Sequence, residues 1–204
     1  MKVVIITAPM MKKLDEKHYP VDGNKSIEFD KPVRCPINGI LAKTLQKDEK
    51  VNIIYISIKD NNRCENNKNA FIDELKNINK EIGAILNFDA IYIPFEPTKQ
   101  TYNTLITELA EKIPENSEIF TDITYSFKPA ILSLFCALRF VEEFKNAIIQ
   151  YIVYGKVEFD DNNVPQNPML YDITSLYYLF KLMGSMGATD AKTATETLKE
   201  FFAV

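Results

Sequence analysis

The chain has 204 residues, a hydrophobic fraction of 46% and a formal net charge of −4 at pH 7. That is enough apolar material for one full core with a small appendage, and the acidic balance argues against a duplex-DNA binder, which needs a strongly basic surface. Cys35, Cys64 and Cys136 form no CxxC spacing and His18 is the lone histidine, which argues against a disulfide framework, most zinc sites and a histidine-based triad.

Reduced thiols point to a cytoplasmic protein. No signal-peptide pattern precedes the first apolar run, and no run approaches the roughly 18 residues of a membrane span. The expectation is a soluble chain with no membrane partner.

Lys2 to Thr7 is a continuous apolar run of strand length, the pattern of a buried strand in a parallel sheet. It ends in Thr7-Ala8-Pro9-Met10-Met11-Lys12-Lys13, a loop at the carboxyl end of a first strand, where open α/β sheets bind their ligands. A plain loop with two solvated lysines fits the same residues. Residues 14 to 36 carry Pro20, Gly23, Pro32 and Pro36 and read as an irregular excursion with a short hairpin around Asp22-Gly23.

Pro36 to Leu45 reads as a helix, Val51 to Ile58 as the second strong strand, and Lys59-Asp60-Asn61-Asn62-Arg63 as another polar loop at a strand's carboxyl end. A helix is expected from about Asn66 to Leu86, a strand over Ala90 to Phe95, a helix over Thr98 to Lys112 and a strand over Glu118 to Ile123. A helix over 129 to 145 and a strand over Ile148 to Val157 follow. This alternation predicts an α/β fold: a mostly parallel sheet with helices on both faces.

The pattern changes after residue 158. Asn167 to Thr174 reads as a short strand antiparallel to the one before it, and Ser175 to Gly184 as a helix with Leu176, Leu179, Phe180 and Met183 on one stripe. Residues 183 to 189 look like a joint, and Asp190 to Phe202 like a last amphipathic helix. The division expected is a ligand-binding domain over 1–183 and a C-terminal linker and helix over 184–204, which contacts a partner or leads into an effector.

Several signatures are missing. No GxGxxG follows the first strand, and neither GxxxxGK[ST] nor GxSxG occurs, so dinucleotide binding, P-loop hydrolysis and a nucleophile elbow lose support. Asp60-Asn61-Asn62 lacks the glycine and glutamate of a calcium loop, and Asp160-Asp161-Asn162-Asn163 reads as a turn. No metal or cofactor is called for.

One turn carries more chemistry than the others: Thr121-Asp122-Ile123-Thr124-Tyr125-Ser126-Phe127-Lys128-Pro129, between a strand and an amphipathic helix. Thr124 or Ser126 can cap the helix, Pro129 suits its first turn, and a helix start with Lys128 beside it favours an anion. An ordinary capped strand-helix junction reads the same way.

Asp122 to Lys128 resembles the Asp-hydrophobic-Thr-His-Gly-Phe-Arg turn of CRISPR-associated Rossmann-fold (CARF) domains, and Leu170 to Leu176 is similar to a tyrosine-aspartate-leucine-threonine passage late in those domains. Here Tyr125 replaces histidine, Ser126 glycine and Lys128 arginine; lysine keeps the charge but loses the bidentate fork. The resemblance spans about residues 1 to 183.

It implies a Rossmann-like fold and a homodimer that binds a cyclic oligoadenylate of type III CRISPR signalling across its two-fold axis, cyclic tetra-adenylate before hexa-adenylate. Carried over by position, Thr7, Ala8, Pro9, Met10 and Met11 would hold phosphate or ribose. Thr124, Tyr125, Ser126, Phe127 and Lys128 would hold phosphate and base, with Tyr125 or Phe127 stacking on adenine. Lys59, Asn61, Arg63 and Phe95 would line the pocket at neighbouring strand ends.

Three readings follow. The first is a sensor that passes the signal to an effector domain or protein. The second is a metal-independent ring nuclease in which Thr7, Ser126 and Lys128 position a ribose 2′-hydroxyl and stabilise developing charge, with no general base in the loops. The third is a Rossmann-like dimerisation or regulatory domain for an unrelated small ligand.

Overall fold

A computed structural model describes residues 1–126, 128–162, 165–185 and 187–202, with residues 201 and 202 described by their backbone alone. The elements are β1 (Lys2–Thr7), β2 (Val21–Asp22), a 3-10 turn (Lys25–Ile27), α1 (Pro36–Thr44), β3 (Lys50–Ile58), α2 (Asn62–Ile82), β4 (Ile85–Ile93), α3 (Lys99–Lys112), β5 (Glu118–Asp122), α4 (Lys128–Phe144), β6 (Ile148–Phe159), β7 (Pro165–Asp172), α5 (Thr174–Ser185) and α6 (Ala191–Phe202).

Seven strands form one sheet in the order β2-β7-β6-β5-β1-β3-β4, parallel throughout except for the antiparallel β6–β7 pair. This is the α/β, mostly parallel, Rossmann-like architecture expected from the alternating pattern. From β1 the chain steps outward to β3 and β4, then crosses back to place β5 on the other side of β1. The reversal puts a switch point at the carboxyl ends of β1 and β5, the crevice position where open α/β sheets take ligands.

Burial explains why the run at residues 3–6 reads so clearly: Val3, Val4, Ile5 and Ile6 are covered on both faces of the sheet. Each buried aliphatic side chain contributes about 1.5–3 kcal/mol. On one face α1 packs against α2, and on the other α3 packs against α4. Lys145 joins the latter pair, donating to Ala110 O at 2.5 Å and Ile113 O at 2.8 Å at the carboxyl end of α3.

Three elements, α2, β4 and β2, differ from the sequence reading. The helix ends at Ile82 and not Leu86, because Gly83 adopts a left-handed φ of 84° and the Asn79 side chain bonds both the N–H and the C=O of Ala84. Ile85 and Leu86 therefore begin β4, which stops at Ile93 and leaves Phe95 in the following loop. In place of a hairpin at Asp22-Gly23, Val21 and Asp22 add to β7 in parallel.

The other edge strand, β4, is closed chemically at its midpoint. Asp89 accepts the Ala90 N–H on one carboxylate oxygen at 2.7 Å and pairs with Lys112 through the other at 2.7 Å. Lys112 in turn holds the Asp89 carboxyl below the usual carboxylate value.

The chain divides into two compact units, one ending at Thr174 and one starting at Ser175. The second contains the rest of α5 and then α6. In α5, Leu176, Phe180 and Met183 are exposed. No helix among the described residues is long and apolar enough to cross a membrane.

Candidate functional site

The crevice between β1 and β5 is built from both strands. Ile6 pairs with Asp122, so those two side chains share a face, and Thr7 lies on the opposite one. The Ser126 hydroxyl donates to Thr7 Oγ1 at 2.8 Å across 119 residues of sequence. A tight turn makes this possible: Ser126 N–H bonds Ile123 O at 3.2 Å, and Asp122 accepts the Thr124 N–H at 2.8 Å.

Thr124 does not act mainly through the helix that follows. Its hydroxyl accepts the Gly155 N–H at 2.8 Å and so ties the turn to β6. Gly155 is required there by space, since a Cβ would lie 2.7 Å from Pro36 Cγ and 3.2 Å from both Thr124 Oγ1 and Cγ2.

Asp122 is buried, and desolvation raises its carboxyl pKa against the pull of hydrogen bonds from Thr124 and the Ile37 amide. Tyr125 is half-buried, with its hydroxyl donating to Arg34 O at 3.3 Å, and burial pushes the phenol well above its ordinary value. Burial likewise raises the Tyr19 phenol to about 12, with the neighbouring Tyr125 hydroxyl pulling the other way.

On the β1 side, Ala8 and Pro9 are buried and Met10 half-buried, which leaves Met11 the most exposed of the four. The loop is held from α2: the Asn67 side-chain amide donates to Pro9 O at 2.8 Å and Met11 O at 3.0 Å, and Asn67 itself is only 4% exposed. Sequence reasoning missed Asn67, because nothing in a polar helical run marks one asparagine as facing inward.

The remaining expected residues sit at neighbouring strand ends. Asn61 caps α2, its side-chain oxygen taking the N–H groups of Arg63 and Cys64 at 3.0 and 3.2 Å. Lys59 and Arg63 are exposed, and Phe95 is 59% exposed. No hydrogen bond among the described residues joins Lys59, Asn61 or Arg63 to the Thr7–Ser126 pair. Phe127 lies outside the described residues. Lys128 is exposed as the first residue of α4.

Charge is distributed unevenly. The strand-end loops and the helix starts that follow them, residues 8–13, 59–63, 94–99 and 124–128, carry six cations, Lys12, Lys13, Lys59, Arg63, Lys99 and Lys128, against two carboxylates, Asp60 and Glu96, in a chain whose net charge is −4. Lys13 pairs with Asp15; the other five cations make no ion pair among the described residues. Strand ends with free cations attract a polyanion, the more strongly at low salt.

A second aspartate turn mirrors the first. Asp172 accepts the Thr174 N–H at 3.0 Å and the Thr174 hydroxyl at 2.5 Å, while Thr174 Oγ1 accepts the Ile152 N–H at 2.8 Å. Ile123 N–H bonds Val153 O at 3.0 Å from one side of β6, and Ile173 N–H bonds Ile152 O at 2.8 Å from the other.

No protein-family model matches the chain, and no curated protein matches it either. No group of three or more His, Cys, Asp or Glu side chains among the described residues is placed to hold a metal ion. A depression of about 530 Å³ lies along α3 from Lys99 to Glu108, is lined by that helix alone and adds nothing to the strand-end chemistry. What the crevice residues can do is donate and accept hydrogen bonds and supply positive charge to an anionic ligand.

Proposed function

We propose that the chain is a sensor that binds a cyclic oligoadenylate, cyclic tetra-adenylate first, across a homodimer two-fold in type III CRISPR antiviral signalling. The observation that carries this reading is the 2.8 Å Ser126–Thr7 bond at the switch point, which brings together the loop that the CARF resemblance assigns to phosphate or ribose and the one it assigns to phosphate and base. The excess of unpaired cations in the strand-end loops supports an anionic ligand with several phosphates. A ring of even repeat number can share a dimer's two-fold symmetry, so one set of loops serves twice.

The test is calorimetry with cyclic tri-, tetra- and hexa-adenylate, followed by ion-exchange chromatography of the recovered nucleotide. One ring bound and returned intact is the expected result. If none binds, the reading falls to a regulatory domain for an unrelated small ligand.

The same pair of hydroxyls favours a second reading, a slow metal-independent ring nuclease. In that reaction a ribose 2′-oxygen attacks the adjacent phosphorus, the bond to the 5′-oxygen breaks, and the 2′-hydroxyl proton ends on the leaving 5′-oxygen. Thr7 and Ser126 would orient the attacking hydroxyl and Lys128 would offset the developing charge. Linear products carrying a 2′,3′-cyclic phosphate identify this activity, and intact recovery removes it.

A further inference from the structure

We propose that Glu74 and Asp122 are built-in carboxyl ligands of α1, specificity-determining groups that close its end of the crevice to external phosphate and leave the α4 end for a ligand's negative charge. The donors at the start of α1 are accounted for one by one. Glu74 accepts Arg34 N–H at 2.7 Å on one oxygen, and Cys35 N–H at 3.3 Å and the Asn38 side-chain amide at 2.8 Å on the other. Asp122 accepts Ile37 N–H at 3.2 Å. Pro36 has no N–H, and Asn38 N–H bonds Cys35 O at 2.9 Å. Cys35, at the cap position, supplies no side-chain acceptor.

In doubly wound sheets the first helix after β1 is where a pyrophosphate docks, because its free amides and dipole favour an anion. Here two carboxylates from distant elements, α2 and β5, occupy that position. An incoming phosphate meets no free amide there and, in its place, the carboxyl oxygens of Glu74 and Asp122. The strand register divides the crevice accordingly, with Asp122 on the α1 face and the Thr7–Ser126 hydroxyls on the other. Nucleoside diphosphates and dinucleotides that need the α1 end are excluded, while a phosphodiester engaged from the α4 side is not.

The cradle is reachable from outside. Glu74 lines an open cleft of about 350 Å³ together with Glu16, Phe29, Arg34, Asn77 and Ile78. Removing its carboxylate therefore unpairs three donors behind the wall of that cleft, the Arg34 and Cys35 amides and the Asn38 side chain. This half of the inference stands on the α1 geometry alone; only the assignment of phosphate to the α4 side rests on the proposed function.

The experiment titrates the wild-type chain, Glu74→Ala and Glu74→Gln with inorganic phosphate and with acetate, reading backbone amide NMR shifts and Tm. In the wild type, the Arg34, Cys35 and Ile37 amides stay in place with either anion. Glu74→Ala melts roughly 4–10 °C lower, and acetate or phosphate restores part of the loss while moving the Arg34 and Cys35 amides. Should Glu74→Ala not fold, the same shifts in Glu74→Gln carry the result, and their absence overturns it. Phosphate-induced shifts of those amides in the wild type overturn the proposal outright, as does a Glu74→Ala protein with unchanged Tm and no response to either anion. Failure of the wild type to bind cyclic tetra-adenylate removes the proposed ligand and leaves these readings as they are.

Discussion

Asp122 and Asp172 meet across a single residue: both are in register with Val153 of β6, one from the parallel strand β5 and the other from the antiparallel strand β7. Each opens an Asp-Ile-Thr passage whose threonine hydroxyl returns to β6, Thr124 to the Gly155 amide and Thr174 to the Ile152 amide. Replacing either threonine by valine keeps the shape and leaves a β6 N–H without its acceptor. A loss of about 1–3 kcal/mol is expected for each, read from denaturant midpoints. Hydrogen exchange should lose protection at Gly155 in Thr124→Val and at Ile152 in Thr174→Val. Unchanged exchange at both amides would show that the two turns do not hold the strand.

Gly155→Ala should destabilise by about 1–3 kcal/mol through overpacking, since the added carbon meets Pro36 at 2.7 Å and Thr124 at 3.2 Å. The damage falls on the first turn of α1, so a crystal structure of the variant should show Pro36 or the 122–126 turn displaced. Wild-type stability in this variant would mean that the contact relaxes without cost.

Lys128→Ala tests the candidate site without disturbing the core, because Lys128 is exposed. Binding of cyclic tetra-adenylate should weaken about tenfold or more, equivalent to roughly 1.4 kcal/mol, with Tm essentially unchanged. Wild-type affinity should also fall steeply with added salt. Ser126→Ala should lower affinity and remove about 0.5–1.5 kcal/mol of stability with the Thr7 bond. If Lys128→Ala binds as tightly as the wild type, the turn serves only as a helix start.

Asp122 gives a pH prediction whose sign follows from its burial. Desolvation raises the folded-state pKa above the ordinary 3.8, so between those two values the folded protein holds a proton that the unfolded chain releases. The Asp122 contribution to stability therefore rises as pH falls through the raised folded value, and the rise is complete below the unfolded one. Other carboxylates work in the opposite direction: Lys112 lowers Asp89, and Lys25 lowers Glu28. The measurement is consequently a difference. Wild type minus Asp122→Asn should move in the wild type's favour on acidification, and a difference independent of pH would show that Asp122 is not desolvated.

The sheet was legible because its central strands are covered on both faces and have no polar interruption: Val3 to Ile6 and Ile53 to Ile56 can be little else. β4 was less clear, since as an edge strand it alternates polar and apolar residues, and Gly83, the one residue that signals the helix stop, was read through. At the site, Thr7, Ser126 and Lys128 could be nominated from strand ends, but the Asn67, Glu74 and Arg34 contacts could not. Their partners lie tens of residues away, and an inward-facing glutamate on a charged helix looks like any other. Charge composition pointed to solvent, where packing placed Glu74 against three donors.

The closure of β4 by Asp89 also bears on how this protein behaves in a crowd. An unprotected outer strand is a template on which other chains can polymerise, and long apolar ones are aggregation hazards. Here a single carboxylate takes the Ala90 N–H at the middle of the strand and brings a lysine alongside. A neighbouring sheet extending across that boundary would have to strip this ion pair at the middle of the strand. The sheet is thus given an end by its own side chains, and its growth is limited without help from another molecule.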